Sequence, residues 1–136
     1  LTCQNVELNF PGDTRHEAFA EDAFKYLDTM GDKYDLIILD PPAFAKHKKV
    51  LNNALQGYRK LNAKAFEKIK PGGILFTFSC SQLVSKENFR LAVFSAAAQS
   101  GRSVRILHQL TQPADHPVNI YHPEGEYLKG LVLYVE

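Results

Sequence analysis

Three short clusters in the sequence carry side chains that can do chemistry: Glu21-Asp22, Asp40-Pro41-Pro42-Ala43-Phe44 and Ser79-Cys80-Ser81. A carboxylate accepts hydrogen bonds from amines and hydroxyls and stabilises positive charge as it develops. A Pro-Pro pair stiffens a turn, and the aromatic after it, Phe44, offers a face on which a planar ring can stack. A cysteine thiolate is a strong nucleophile. Each cluster also has a plain structural explanation. Asp22 suits a helix cap, Asp40 suits a turn, and a lone cysteine is most often a small buried hydrophobe. Position raises the chemical reading, because all three directly follow segments that read as strands.

The elements that would position these residues follow from periodicity. Residues 1–9 read as the tail of a helix stopped by Pro11-Gly12. Residues 17–21 (EAFAE) alternate polar and apolar, the pattern of a short strand. Asp22 would cap a helix over 23–30, with Gly31 at its end. Residues 34–39 (YDLIIL) read as a strand buried on both faces of a parallel sheet, and Asp40-Pro41-Pro42 must break it. From 50 to 69, Leu51, Leu55, Tyr58, Leu61, Ala65 and Ile69 recur at helical spacing. Lys60, Lys64 and Lys68 line another side of that helix as an ordinary polar stripe.

Pro71-Gly72-Gly73 reads as a turn before a second buried strand, 74–78 (ILFTF). Ser85 would cap a helix running to Ser100, with Phe89, Ala92, Val93, Ala96 and Ala97 inward and Gly101 just beyond its end. Residues 104–107 and 128–135 read as two closing strands, separated by a Pro-, His- and acid-rich loop, 112–126. Strands alternating with helices predict an α/β fold with a doubly wound, mostly parallel sheet. In such sheets ligands bind outside the carboxyl ends of the strands. That rule brings the three clusters to one crevice.

With 136 residues the chain can build one core, and 45% hydrophobic with 23% charged residues is the balance of a globular domain. No run approaches the roughly 20 apolar residues that span a bilayer, and residues 1–10 lack the form of a signal peptide. Cys3 and Cys80 offer neither a disulfide framework nor zinc spacing, which predicts a reducing, cytoplasmic setting. His108 and His122 lack metal-like partners, so no metal site is expected. A net charge of +1 leaves partners to be argued from where the charges sit. Lys46, His47, Lys48 and Lys49 follow the Pro-Pro turn and could meet phosphates, or simply form a solvated loop. His116 and Glu124, in the long loop, could reach a substrate at the same sheet edge or serve structure alone.

The segments DPPAF (from Asp40), GYRKLN (from Gly57), PGGILFTFSCS (from Pro71), DHPV (from Asp115) and PEGEYLKG (from Pro123) together carry a family resemblance. DPPAF after an apolar strand is similar to motif IV of class I S-adenosylmethionine-dependent methyltransferases that act on nucleobases. The order and spacing of all five resemble the PUA-domain-containing bacterial methyltransferases of cytosine C5 in large-subunit ribosomal RNA, over essentially the whole chain.

The resemblance implies a Rossmann-like class I methyltransferase fold, S-adenosyl-L-methionine as cofactor and ribosomal RNA as substrate. It implies Cys80 as the nucleophile that adds to cytosine C6, with Asp40 at the N3/N4 edge of the base. It places Asp22, Asp40 and Pro41 against the cofactor, Asp22 accepting from the adenine amino group. Pro42, Phe44, Lys46 and His116 fall to the substrate, with Phe44 stacking on an extruded base. The sequence departs from the family in one respect: the N-terminal strands, the glycine-rich cofactor loop and the RNA-binding domain are not among these residues. The chain is therefore expected to be the C-terminal part of a catalytic domain, with a free strand edge prone to self-association. The alternatives are a base amino-methyltransferase, in which Cys80 only packs, and a non-catalytic fragment or RNA-binding module.

Overall fold

The structure, a computed structural model, describes residues 1–31, 34–44 and 50–136. Its elements run in the order α1 (Thr2–Asn9), α2 (Ala23–Thr29), β1 (Tyr34–Leu39), α3 (Leu51–Lys68), β2 (Ile69–Ser79), α4 (Lys86–Ser100), β3 (Val104–Leu110), a 3-10 turn (Pro123–Gly125) and β4 (Lys129–Val135). The strands form one sheet in the order β1-β2-β4-β3. β1 and β2 are parallel, joined by the α3 crossover, and β4 lies antiparallel to both β2 and β3. Three strands therefore run one way, and β4 returns between two of them as the second arm of a hairpin.

The helices end where their sequence says they should. The Asp22 carboxylate caps α2 by accepting from the amides of Phe24 and Lys25. Ser85 caps α4 through the Asn88 amide, and Gly101 closes that helix in the left-handed conformation at φ 68°. Along β2 burial alternates: Leu75, Thr77 and Ser79 point into the core, while Ile74, Phe76 and Phe78 are half-buried on the opposite face. The core lies between the sheet and helices α2, α3 and α4, with Tyr58, Phe66, Ile69, Phe89 and Leu133 at its centre. Lys64 pairs with Asp28, and Lys68 donates to the Met30 carbonyl at 2.7 Å, so two lysines of the polar stripe hold α3 to α2.

Three expectations need correction. Residues 17–21 form no strand, because nothing in the described sheet offers them a ladder partner, and alternation alone does not hold a strand. The 71–73 turn is absorbed into β2, which starts at Ile69 and accommodates Gly72 at φ +82°. β1 is not buried on both faces: it is a sheet edge, with Leu36 51% and Ile38 60% exposed. Its apolar composition is that of an interior strand, while its only described strand neighbour is β2.

Candidate active site at the strand ends

The antiparallel insertion of β4 decides what meets at the site. The carboxyl ends of β1, β2 and β3 share one rim with the amino end of β4. Asp40, Cys80 and Lys129 therefore come to the same side of the sheet, Lys129 in register with Ser79.

The turn after β1 leaves Asp40 and Pro42 exposed and half-buries Pro41, Ala43 and Phe44. Cys80 is half-buried, and its Sγ lies 4.0 Å from the Pro41 carbonyl oxygen, the long limit for a weak thiol hydrogen bond. The proline turn and the thiol, distant in sequence, are thus adjacent in space.

Tyr58 ties these two turns together from below. Its side chain is fully buried on α3, and its hydroxyl accepts from the Ser79 hydroxyl at 2.9 Å and from the Phe44 backbone amide. Burial raises the Tyr58 pKa above the ordinary phenol value, and those two hydrogen bonds partly offset it. The Phe44 ring packs on Tyr58 with centroids 4.7 Å apart, and Tyr58 meets Phe89 edge-on at 5.4 Å. Gly57 makes this possible, since a Cβ there would sit 3.1 Å from the Phe44 ring. Phe44 is therefore anchored to α3 and is not a freely presented stacking platform.

The turn that carries Cys80 is braced by the Ser81 carbonyl. That oxygen accepts from the Val84 amide at 3.2 Å and from the Lys129 ammonium at 2.5 Å. Lys129 is only 7% exposed. Burial lowers its pKa below the ordinary lysine value, negative charge at Cys80 works in the opposite direction, and the Lys86 ammonium adds to the lowering. Gln82 donates to the Glu124 carbonyl at 3.2 Å, and Lys86 pairs with Glu126, so loop 112–126 is fastened to this same turn.

His116, by contrast, is exposed beside Asp115, its Nδ1 3.4 Å from the carboxylate, in a shallow cleft with Thr111, Gln112, Pro113 and Pro117. No described contact joins it to Cys80 or to the Asp40 turn. Lys46 lies outside the described residues, as do His47, Lys48 and Lys49. Asp22 is exposed at the start of α2, and both amide bonds fall on Oδ1, at 3.0 and 3.1 Å. Its second oxygen has no protein partner among the described residues and is available to a ligand. Asp22 and Asp40 thus supply exposed acceptors of the kind a cofactor's amino groups require, and no glycine-rich loop stands among these residues to hold the rest. Among the described residues no cluster could bind a metal ion, and no helix is long and apolar enough to cross a membrane.

The sequence reading does not single out Tyr58 or Lys129. Tyr58 read as one more core position of α3. Lys129 opens an antiparallel strand, where a rule about carboxyl ends does not look.

No protein-family model matches the chain. It is 44% identical over 133 residues to a ribosomal RNA large subunit methyltransferase I from Aeromonas hydrophila, covering 96% of this chain and 34% of that protein. It is 45% identical over 136 residues to the Tolumonas auensis protein of the same name, covering 98% and 34%. The chain thus spans about a third of the length of the curated relatives it matches. Among solved structures, SMU.776, assigned as a methyltransferase and crystallised with SAH, superposes with a TM-score of 0.76 at 24% identity, over 98% of this chain and 35% of its own. A Streptococcus mutans protein assigned as a SAM-dependent methyltransferase gives 0.78 at 22% identity, over 98% and 35%. The chain therefore has the Rossmann-like fold of these structures and is similar, nearly end to end, to a stretch of about a third of the length of ribosomal RNA large subunit methyltransferase I proteins.

Proposed function

We propose that the chain is the C-terminal part of the catalytic domain of an S-adenosylmethionine-dependent methyltransferase, acting on cytosine C5 in ribosomal RNA through a covalent Cys80 adduct. The observation that carries this reading is the 4.0 Å approach of Cys80 Sγ to the Pro41 carbonyl, a thiol beside an Asp-Pro-Pro turn at the strand ends. The similarity to ribosomal RNA methyltransferases supports the substrate class. Work on ribosomal RNA would also suit a cytoplasmic protein.

Cytosine C5 is a weak nucleophile, and the Cys80 thiolate would overcome this by adding to C6, which makes C5 enamine-like. When bound, the cofactor supplies an electrophilic methyl group. Asp40 would hold the N3/N4 edge, accepting from the N4 amino group and from N3–H, since N3 takes up a proton as the thiolate adds. After methylation a base takes the C5 proton and the C6–S bond breaks, regenerating the thiolate. Pro41 and Pro42 would keep the turn rigid, and the exposed part of Phe44 would wall the pocket of an extruded base. Asp22, through its free oxygen, would accept from the adenine amino group, with Asp40 and Pro41 lining the cofactor's methyl-bearing end. Lys46 and its neighbours would meet RNA phosphates, and His116 would meet RNA from the rim loop. The exposed β1 edge would pair with another strand, of this chain's longer protein or of a second copy.

The test is RNA carrying 5-fluorocytosine at the target, incubated with the complete enzyme and cofactor. A stable protein–RNA adduct lost in Cys80→Ser is expected, because fluorine cannot leave as a proton. Methylation by Cys80→Ser at near wild-type rate, without an adduct, would instead identify an amino-methyltransferase. Absence of any transfer by the complete protein would leave an RNA-binding or non-catalytic role.

A further inference from the structure

Lys129 is the one strongly buried cation at the rim among the described residues, and the chemistry proposed above leaves it without a task. Its ammonium reaches from the first residue of β4 past the end of β2 to the Ser81 carbonyl, across the turn that carries Cys80. No described carboxylate pairs with it; the nearby acid Glu126 is engaged by Lys86. A buried ammonium whose sole described partner is a neutral carbonyl is costly unless a negative charge comes to it. Cys80 directly precedes the residue whose carbonyl the ammonium grips, and negative charge there would offset the burial of Lys129.

We infer that Lys129 is the positioning cation of Cys80: it braces the 80–84 turn through the Ser81 carbonyl and supplies the positive charge against which the Cys80 thiolate forms. The thiol proton passes to solvent, and the negative sulfur is left beside a cation held in place by the fold. A thiol with an ordinary pKa of about 8.5 is mostly protonated near neutrality, so a fixed cation enlarges the nucleophilic fraction. The titratable and charged groups beside Lys129 are Cys80, just past the end of β2, and Lys86, Glu87 and Arg90 of α4, which share a cleft with it, while Glu126 is held by Lys86. This inference deepens the Cys80 reading and rests on it for its biological use, but its test involves no RNA, so the two can fail separately.

The test is peptide-resolved alkylation by iodoacetamide of the folded 136-residue chain, near pH 7 and near pH 10, with exposed Cys3 as internal reference. Lys129→Gln, which keeps a hydrogen-bond donor but loses the charge, should slow Cys80 alkylation about three- to tenfold near pH 7. Near pH 10, where thiols are ionised regardless, the difference should vanish. Lys129→Arg should restore the neutral-pH rate to within about twofold. A purely structural lysine would alter access equally at both pH values, and that outcome, or an unchanged rate in Lys129→Gln, overturns the inference. Should the variants fail to fold, the wild type decides alone. The ratio of neutral to alkaline rates must then be several-fold higher for Cys80 than for Cys3, and equal ratios reject the inference.

Discussion

Asp22 can serve a helix and a ligand together because its two oxygens are divided between them. Oδ1 takes the amides of Phe24 and Lys25, and the other oxygen has no protein partner among the described residues. Asparagine has one carbonyl oxygen, and the cap would claim it. Asp22→Asn should therefore leave thermal stability nearly unchanged, since Asn caps as well as Asp. Its amide nitrogen would then face the adenine amino group, donor against donor. Cofactor affinity of the complete enzyme should fall roughly tenfold to a hundredfold, as titration calorimetry would read directly. Equal affinity would return Asp22 to capping alone. At this scale the residue types were legible in the sequence, but their division of labour was not. Phe44 read as a stacking ring, whereas the Gly57 gap draws it onto Tyr58, a contact that becomes visible only once α3 is laid beside the turn.

At the scale of elements, the β1–β2 ladder depends on one close approach. A Cβ at Gly73 would lie 2.9 Å from the Lys70 carbonyl oxygen and 3.0 Å from that of Asp35, across the ladder on β1. Neither backbone atom can move without disturbing the parallel pairing, which runs up to Leu39 just before Asp40 and whose register already shifts between Tyr34 and Leu36. Gly73→Ala should cost about 1–3 kcal/mol, seen as a lower urea midpoint, and should loosen the Asp40 turn more than α4. Unchanged stability would mean the strands separate more easily than the packing suggests. Helix periods, caps and the buried β2 stretch could be read ahead of the structure because each is encoded within its own segment. Strand 17–21 could not, since a strand exists only with a neighbour. The direction of β4 could not either, because it depends on where loop 112–126 returns the chain.

At the scale of the molecule, one side of the sheet is built and the other is not covered to match. Helices α2, α3 and α4 seal one face, yet Leu36 and Ile38 remain 51% and 60% exposed, and β1 has β2 as its only described strand neighbour. An edge strand normally carries charges, a bulge or a proline that deters pairing. From Leu36 to Leu39 this one carries only leucine and isoleucine, flanked by an apolar cleft of about 290 Å³ between β1 and α2. The 136-residue chain by itself should therefore self-associate through β1, and sedimentation velocity at increasing concentration should show species heavier than the 15.3 kDa monomer. Ile38→Lys sets a charge on the exposed face of that edge without touching the core, and should shift the distribution back towards monomer. In the complete protein, where a strand is proposed to occupy this edge, the same substitution should instead lower stability. A wild-type chain that stays monomeric at high concentration would mean that its edge is protected by residues whose arrangement differs from the sheet described above.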